Sequence, residues 1–527
     1  MLFNKDIYIT SFLSFAKNIW VFIYTFIFAE LTSKTINSAT AYDSYGVLKY
    51  SLIFFSILFI SKIVDLFLGI YTEKRLLKSK QGYKEHLYEL MFKQRVYVIE
   101  SLGLGNIKER LNDDTNITFS FITENIPSII TGFFVAFGYV LYISRINLYL
   151  GLFLVLISFL QLIPPFVVKR WLIENYEDTK DIESQLTEHI LEGYTGLSTI
   201  KQFNAESFYM ERLRNLHKDY YKIGKKSEIT AQFETALDKA ISSILTYVTY
   251  CIIGLFLFKG SITLESAVAT IVLVKGFYHG VGSIFSGLPK YFLFSKAMER
   301  LKDLIPKDEK ALPNDFHDDF PLFKINSLSY GYGDKILMND LNVSLYPNYK
   351  YAVIGDNGSG KSTLIKILSG VNRNYKGEVL YRGCDIKKLS DFEIFSIIEY
   401  LPQEDPILDL TPKSLYMILC EEDDVSLNEI LNTASILGLD ENILNEQNIS
   451  ELSGGQRKKV FLSAALCSKR KVLILDEPTN ALDLESQNCL LSTIKNSNKS
   501  IIMITHNREF IDCCDFVLNI SKGGVIV

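Results

Sequence analysis

Six long apolar tracts dominate the first 290 residues, at about 7–29, 47–70, 120–143, 147–168, 240–258 and 262–290. Each is near the roughly 20 residues a helix needs to cross the hydrocarbon of a bilayer. Backbone in lipid must satisfy its own hydrogen bonds, so such tracts predict six membrane-spanning helices rather than a soluble core. The last tract is the most interrupted, holding Lys275, His279 and several glycines. An even number of spans puts both chain ends on one side, and the basic residues say which. The segment between the second and third tracts holds Lys74, Arg75, Lys78 and Lys80 among others, and the one between the fourth and fifth holds Lys201, Arg212, Arg214 and Lys218 among others. The three opposite loops offer little beyond Lys34, Arg145 and Lys259. Basic residues favour the cytosolic side, so the two long segments and both termini are expected there. Helical periodicity with few breakers predicts that the helices continue well into the cytosol through both segments.

A chain of 527 residues is long enough for at least two domains. From Leu322 onward its character changes to short Val/Ile/Leu runs separated by Gly-rich turns, the pattern of a soluble α/β protein. The expected division is a membrane domain over 1–305, a charged, Pro-punctuated linker over 306–321, and an α/β domain over 322–527. A formal charge of −5 provides no field that would gather nucleic acid. None of the seven cysteines forms a CxxC pair or a metal-ligand spacing, and adjacent Cys513 and Cys514 fit a reduced cytosolic compartment. No cleavable signal peptide is expected, because the first apolar tract is long and no small-residue cleavage site follows it.

The chemistry is concentrated in the C-terminal part. Lys350-Tyr-Ala-Val-Ile354 reads as a strand, followed by Gly355, Asp356, Asn357, Gly358, Ser359, Gly360, Lys361, Ser362 and Thr363. This is a phosphate-binding loop of the form Gly-x-x-x-x-Gly-Lys-Ser, opening a helix near Lys361. Its glycines let successive N–H groups curl inward onto phosphate oxygens, and the helix N-terminus adds its positive end. Lys361 is expected to neutralise the β- and γ-phosphates of ATP, and Ser362 to offer its hydroxyl to Mg²⁺. Lys471-Val-Leu-Ile-Leu-Asp-Glu-Pro478 is an apolar strand ending in two carboxylates. Asp476 is expected to hold Mg²⁺, and Glu477, one residue on and pointing differently, to polarise an attacking water.

Glu451-Leu-Ser-Gly-Gly-Gln-Arg457 is the LSGGQ signature, and the chain thereby resembles ABC proteins. The resemblance extends, in family order, to Tyr330 as the aromatic stacking on adenine, with Tyr332 as alternative. It continues with Gln403 in Leu-Pro-Gln, reaching Mg²⁺, then Asp483 in a D-loop Asn480-Ala-Leu-Asp483, and His506 as the switch histidine after Ile501-Ile-Met-Ile504. It implies that Ser453, Gly454, Gly455 and Gln456 contact the γ-phosphate of ATP held by an opposite subunit. One chain has one phosphate loop and one signature, so a dimer is expected, a homodimer or a heterodimer with a similar half-transporter. Three membrane-half segments resemble exporter features. Gly105 to Ile117, with Arg110-Leu-Asn-Asp-Asp114, is similar to the first intracellular loop, Glu192 to Glu206 to the second, and Ser295 to Leu304 to the exit helix. In that family short coupling helices in these loops sit in grooves on the nucleotide-binding domains.

The implied fold is a membrane α-helical bundle of six transmembrane helices with long cytosolic extensions, plus an α/β P-loop NTPase domain of the ABC ATPase type. The implied activity is an exporter-type half-transporter in the cell membrane, bound to lipid, hydrolysing ATP to move a peptide or amphipathic small molecule. Lipid flipping and siderophore-type import remain alternatives. Two departures bear on the subfamily: Asn445-Glu-Gln-Asn-Ile-Ser450 replaces the exporter Gly-Glu-x-Gly before the signature, and Glu-Pro-Thr-Asn replaces the common Glu-Ala-Thr-Ser. Within the spans, Lys62 and Asp65 are one turn apart and expected to pair, while Lys275 and His279, at i and i+4, are expected to line a cavity.

Overall fold

The structure is a computed structural model that describes residues 5–306, 320–332, 335–423, 425–521 and 524–526. Residues 307–319 of the expected linker lie outside the described residues. The chain divides into two compact units, one of residues 1–94 and 99–306, the other of 307–527 together with Arg95–Val98.

In the first unit the six apolar tracts fall in six helical spans: Lys5–Thr40, Ser44–Lys93, Leu104–Ile146, Leu148–Val168, Glu206–Phe258 and Leu264–Lys302. At 1.5 Å per residue the second and fifth, with 50 and 53 residues, are about 75–80 Å long, far more than the roughly 30 Å of bilayer hydrocarbon. The excess has to project into water. Lipid-compatible side chains such as Phe55, Phe59, Leu66, Phe67, Phe133 and Leu156 stand exposed, while Tyr139, Leu154, Ile253, Leu273 and Phe277 pack inward as one core.

Several spans are locally broken. The fourth tightens to a 3₁₀ turn at Phe159–Leu162 just before Pro164 and Pro165, then continues as a helix to Thr195. The sixth divides into Leu264–Phe285 and Gly287–Lys302 around Ser286. The third contains two single π turns, Arg110–Asp114 and Phe121–Asn125. A short helix, Val96–Leu102, precedes the first loop motif, which therefore runs at the head of the third span rather than in a separate element. The second motif does contain a separate short helix, Leu197–Gln202.

The first π turn holds a buried ionic network. Asp114, fully buried, accepts from Tyr176 Oη at 2.6 Å and pairs with Arg300 Nε at 2.9 Å. Arg110 pairs with Asp303 at 2.7 Å, and Arg300 reaches Glu109 at 3.4 Å. The Arg-Leu-x-x-Asp motif and the exit helix are thus one interlocked element. Arg300→Ala leaves a buried carboxylate without its cation, so a loss of about 3–5 kcal/mol is expected, read as a lower unfolding temperature in detergent. Arg300→Lys should restore part of it.

The second unit contains two sheets. Strands β1 (Phe323–Tyr332), β2 (Lys335–Leu345), β4 (Lys376–Tyr381) and β5 (Cys384–Asp385) form an antiparallel sheet in the order β2-β1-β4-β5. The larger sheet runs β10-β9-β3-β8-β7-β6, built from β3 (Lys350–Ile354), β6 (Ile398–Leu401), β7 (Val472–Asp476), β8 (Ser500–Ile504), β9 (Phe516–Ser521) and β10 (Gly524–Ile526). Its neighbours from β9 to β6 are parallel. All five residues of β7 and of β8 are buried, which is why both read as unbroken apolar runs.

Candidate functional site

Parallel pairing gathers four of the marked segments at one edge of the larger sheet. Gly355 follows β3, Gln403 follows β6, Asp476 closes β7, and His506 lies two residues beyond β8. Carboxyl ends of parallel strands are where α/β sheets bind ligands. The register brings them level, since Leu401 pairs with Leu475, and Asp476 with Ile504.

Gly355, Gly358 and Gly360 all have positive φ, and a β-carbon on Gly355 would stand 2.4 Å from the Ile520 carbonyl oxygen. The loop is consequently closed to side chains at that point. Lys361 opens the helix Lys361–Leu368 and is 7% exposed; its ammonium donates to the Gly355 and Asp356 carbonyls at 2.8 and 3.0 Å. Asp356, Asn357 and Gly358 are exposed, while Ser359 is buried.

Asp476 is 2% exposed. Burial pushes its carboxyl up from the usual range, and a side-chain hydrogen bond with Ser362 opposes this. Its Oδ1 has no hydrogen-bond partner among the described residues. A buried anionic oxygen in want of a partner, beside a Ser hydroxyl, fits a hard divalent cation completed by phosphate and water oxygens. Among the described residues no cluster of three His, Cys, Asp or Glu could hold a metal by itself. Glu477 has φ +48, an uncommon conformation for this residue and of the kind found at functional sites. Its Oε2 accepts from Gln403 Nε2 at 3.1 Å and Asn480 Nδ2 at 2.5 Å, and its own N–H donates to the Ile504 carbonyl. His506 is exposed at the same edge.

The signature has a plain structural logic. Ser453 caps the helix Gly454–Cys467, accepting from Gln456 N at 3.3 Å, while Gln456 Oε1 accepts from Ser453 N at 3.0 Å. This reciprocal capping box leaves Ser453 and Gly454 exposed at the positive end of a fourteen-residue helix. Among the described residues, no hydrogen bond joins Ser453, Gly454 or Gly455 to the phosphate loop of the same chain. Tyr330, half-buried, lines a cleft of about 460 Å³ with Met338 and Lys376, and no phosphate-loop residue shares it. A β-carbon on Gly360 would nevertheless stand 3.6 Å from Leu337 and Met338 of β2.

Two lysines escape a motif reading, because Arg457-Lys458-Lys459 looks like a solvated basic face. Both are buried. Lys458 donates to the Pro402 and Gln403 carbonyls at 3.0 and 3.3 Å and pairs with Asp405 at 3.4 Å. Lys459 pairs with Asp483 at 2.7 Å, which holds the Asp483 carboxyl below its ordinary range; Asp483 also caps the helix Leu484–Asn496. The signature helix is thereby tied to the loops bearing Gln403 and Asp483. The signal available in the sequence was that positions 458 and 459 immediately precede Val460 in a helix with an apolar face. Lys458→Met keeps the stem and removes the anchor, so ATP turnover is expected to fall about tenfold through misplacement of Gln403, measured as steady-state phosphate release.

Residues 338–480 match the ABC transporter family, and residues 7–279 match the ABC transporter transmembrane region. The chain belongs to the ABC transporter family. It is a multi-pass membrane protein whose C-terminal unit binds ATP and hydrolyses it in support of transport. A Rickettsia bellii protein named as an export ATP-binding/permease is 26% identical to this ABC transporter over 488 residues, 89% of this chain and 84% of that one. The lactococcin-A transport/processing ATP-binding protein LcnC of Lactococcus lactis is 26% identical over 480 residues, 87% of this chain but 65% of its own length. The microcin-J25 export ATP-binding/permease protein McjD of Escherichia coli is 30% identical over 213 residues, 38% of this chain and 36% of its own. A bacterial Atm1-family ABC exporter with ATP bound has the same fold, with a TM-score of 0.78 at 17% identity, covering 97% of this chain and 94% of the other. The six-span bundle and ABC ATPase fold expected from the sequence are therefore those of this ABC transporter.

Proposed function

We propose that the chain exports a peptide or amphipathic small molecule from the cytosol as a homodimer that sandwiches two ATP molecules. The observation that carries this reading is the division of the site. The phosphate loop and carboxylates lie at the sheet edge, while Ser453 and Gly454 present a capped helix end with no bond to them in the same chain. A second copy, presenting its own signature, completes each site. Tyr194, Phe203 and Phe208, exposed around the short helix Leu197–Gln202, support a further contact with that copy.

In this reading Lys361 and the loop N–H groups from Gly355 to Thr363 hold the phosphates, and Tyr330 stacks on adenine. Ser362, Asp476 and Gln403 hold Mg²⁺, which when bound neutralises charge developing on the transferred phosphoryl group. Glu477, restrained by Gln403 and Asn480, orients the attacking water and takes its proton, and His506 steadies the γ-phosphate. Asp483, locked to Lys459, relays the signature's position to the hydrolytic loop. Loss of the γ-phosphate removes the bond between the two copies, and the long helices carry the separation to the spans.

Export is supported by the relatives' names, and cytosolic termini in the cell membrane by the basic loops. Inverted vesicles containing the protein should accumulate a labelled amphipathic peptide when given ATP. Depletion of preloaded peptide would mean import, and leaflet exchange of labelled lipid without peptide uptake would mean flipping.

A further inference from the structure

One protomer alone has an open cavity of about 470 Å³ between its first, third and sixth spans. Its position is set by a close helix crossing: a β-carbon on Gly132 would stand 2.4 Å from the Gly280 carbonyl oxygen, and one on Gly276 would stand 2.7 Å from the Tyr139 ring. Lys275 and His279, one turn apart on the sixth span, therefore form part of the wall. Phe22 and Tyr139 supply apolar surface, and Asn18 and Thr25 supply hydrogen-bonding groups. No aspartate or glutamate lines the cavity.

Two acidic residues within the spans are paired away from Lys275. Glu30 pairs with Lys34 at 3.6 Å and accepts from Tyr142 Oη at 3.3 Å; Asp65 pairs with Lys62 at 3.3 Å. Asp238 stands within electrostatic reach of His279, the other ionisable residue of the wall, and Glu234 within reach of Lys290. Lys275 has no ion pair or side-chain hydrogen bond among the described residues. A cation at this depth is costly to retain and is kept where it faces a cavity and a counter-charge. Among the residues lining the cavity there is a lysine and no carboxylate.

We propose that this cavity takes the acidic group of an amphipathic anionic cargo, with the Lys275 ammonium as its counter-ion, the Asn18 and Thr25 side chains as hydrogen-bonding partners, and Phe22 and Tyr139 against the apolar body. This rests on the proposed transport role and narrows its cargo to acids.

The test compares a dansyl-labelled long-chain fatty acid with its primary amide, titrated into full-length protein in nanodiscs, with signal from empty nanodiscs subtracted. The acid should bind at least about tenfold more tightly than the amide, because only the acid forms a charge-assisted pair. Lys275→Ala should remove that preference, and Lys275→Arg should retain it. Equal binding of acid and amide to the unaltered protein, binding of neither, or an acid preference that survives in Lys275→Ala overturns the proposal. If Lys275→Ala fails to fold, the comparison in the unaltered protein and in Lys275→Arg decides it. A failure of the transport reading would look different: Lys275-dependent binding of the acid without ATP-driven uptake into inverted vesicles.

Discussion

Replacing Glu477 by Gln should lower ATP turnover by about 10²- to 10⁴-fold while leaving ATP binding in place. The substitution is nearly isosteric, so the neighbours Gln403 and Asn480 still meet an oxygen at this position. What is lost is the negative charge proposed to orient water and accept its proton. The backbone already holds this residue at φ +48, a conformation retained by restraint from Asn480 and from the Ile504 carbonyl. With hydrolysis stopped and binding intact, two copies should remain closed around nucleotide. The measurements are steady-state phosphate release and retention of labelled ATP through gel filtration. Undiminished hydrolysis would remove Glu477 from its role.

Lys361→Ala should act at the opposite step, weakening ATP binding by about 100-fold. Lys361 is almost completely buried, and its ammonium is held over the loop by the Gly355 and Asp356 carbonyls. Nothing else in the loop from Gly355 to Thr363 carries a positive charge, and Asp356 adds a negative one. Lys361→Arg should not rescue binding, since the longer planar group does not fit the same buried space. Equilibrium binding of a fluorescent ATP analogue reads both variants. Together with Glu477→Gln, this separates a variant that binds without hydrolysing from one that does neither.

Much of this was legible because the relevant information is local. A bilayer imposes a length on apolar tracts, and the six tracts could be counted from the chain. The phosphate loop needs glycines at positive φ, and the spacing of Gly355, Gly358 and Gly360 announces them. Gln456 in the signature is explained by its own capping box, three residues from Ser453. What spacing alone could not give is strand order: Gln403, Asp476 and His506 become neighbours only through the order β8-β7-β6. Lys458 and Lys459 were invisible for a related reason, as a basic run has no burial of its own until the Gln403 and Asp483 loops close over it. The π turns at Arg110 and Phe121 have no sequence signature, and the Arg300–Asp114 pair made at the first of them joins residues far apart in sequence.

Completion of each nucleotide site by a second copy is best tested by cysteine pairing across the dimer. In protein whose seven native cysteines are replaced, one population carries Asn357→Cys in the phosphate loop and the other carries Ser453→Cys in the signature; both positions are exposed in a single chain. Mixed in lipid and oxidised, the two populations should form a disulfide-linked dimer only when ATP is present, and neither should do so alone. A mixture that stays uncrosslinked with ATP bound would contradict a site shared between two chains.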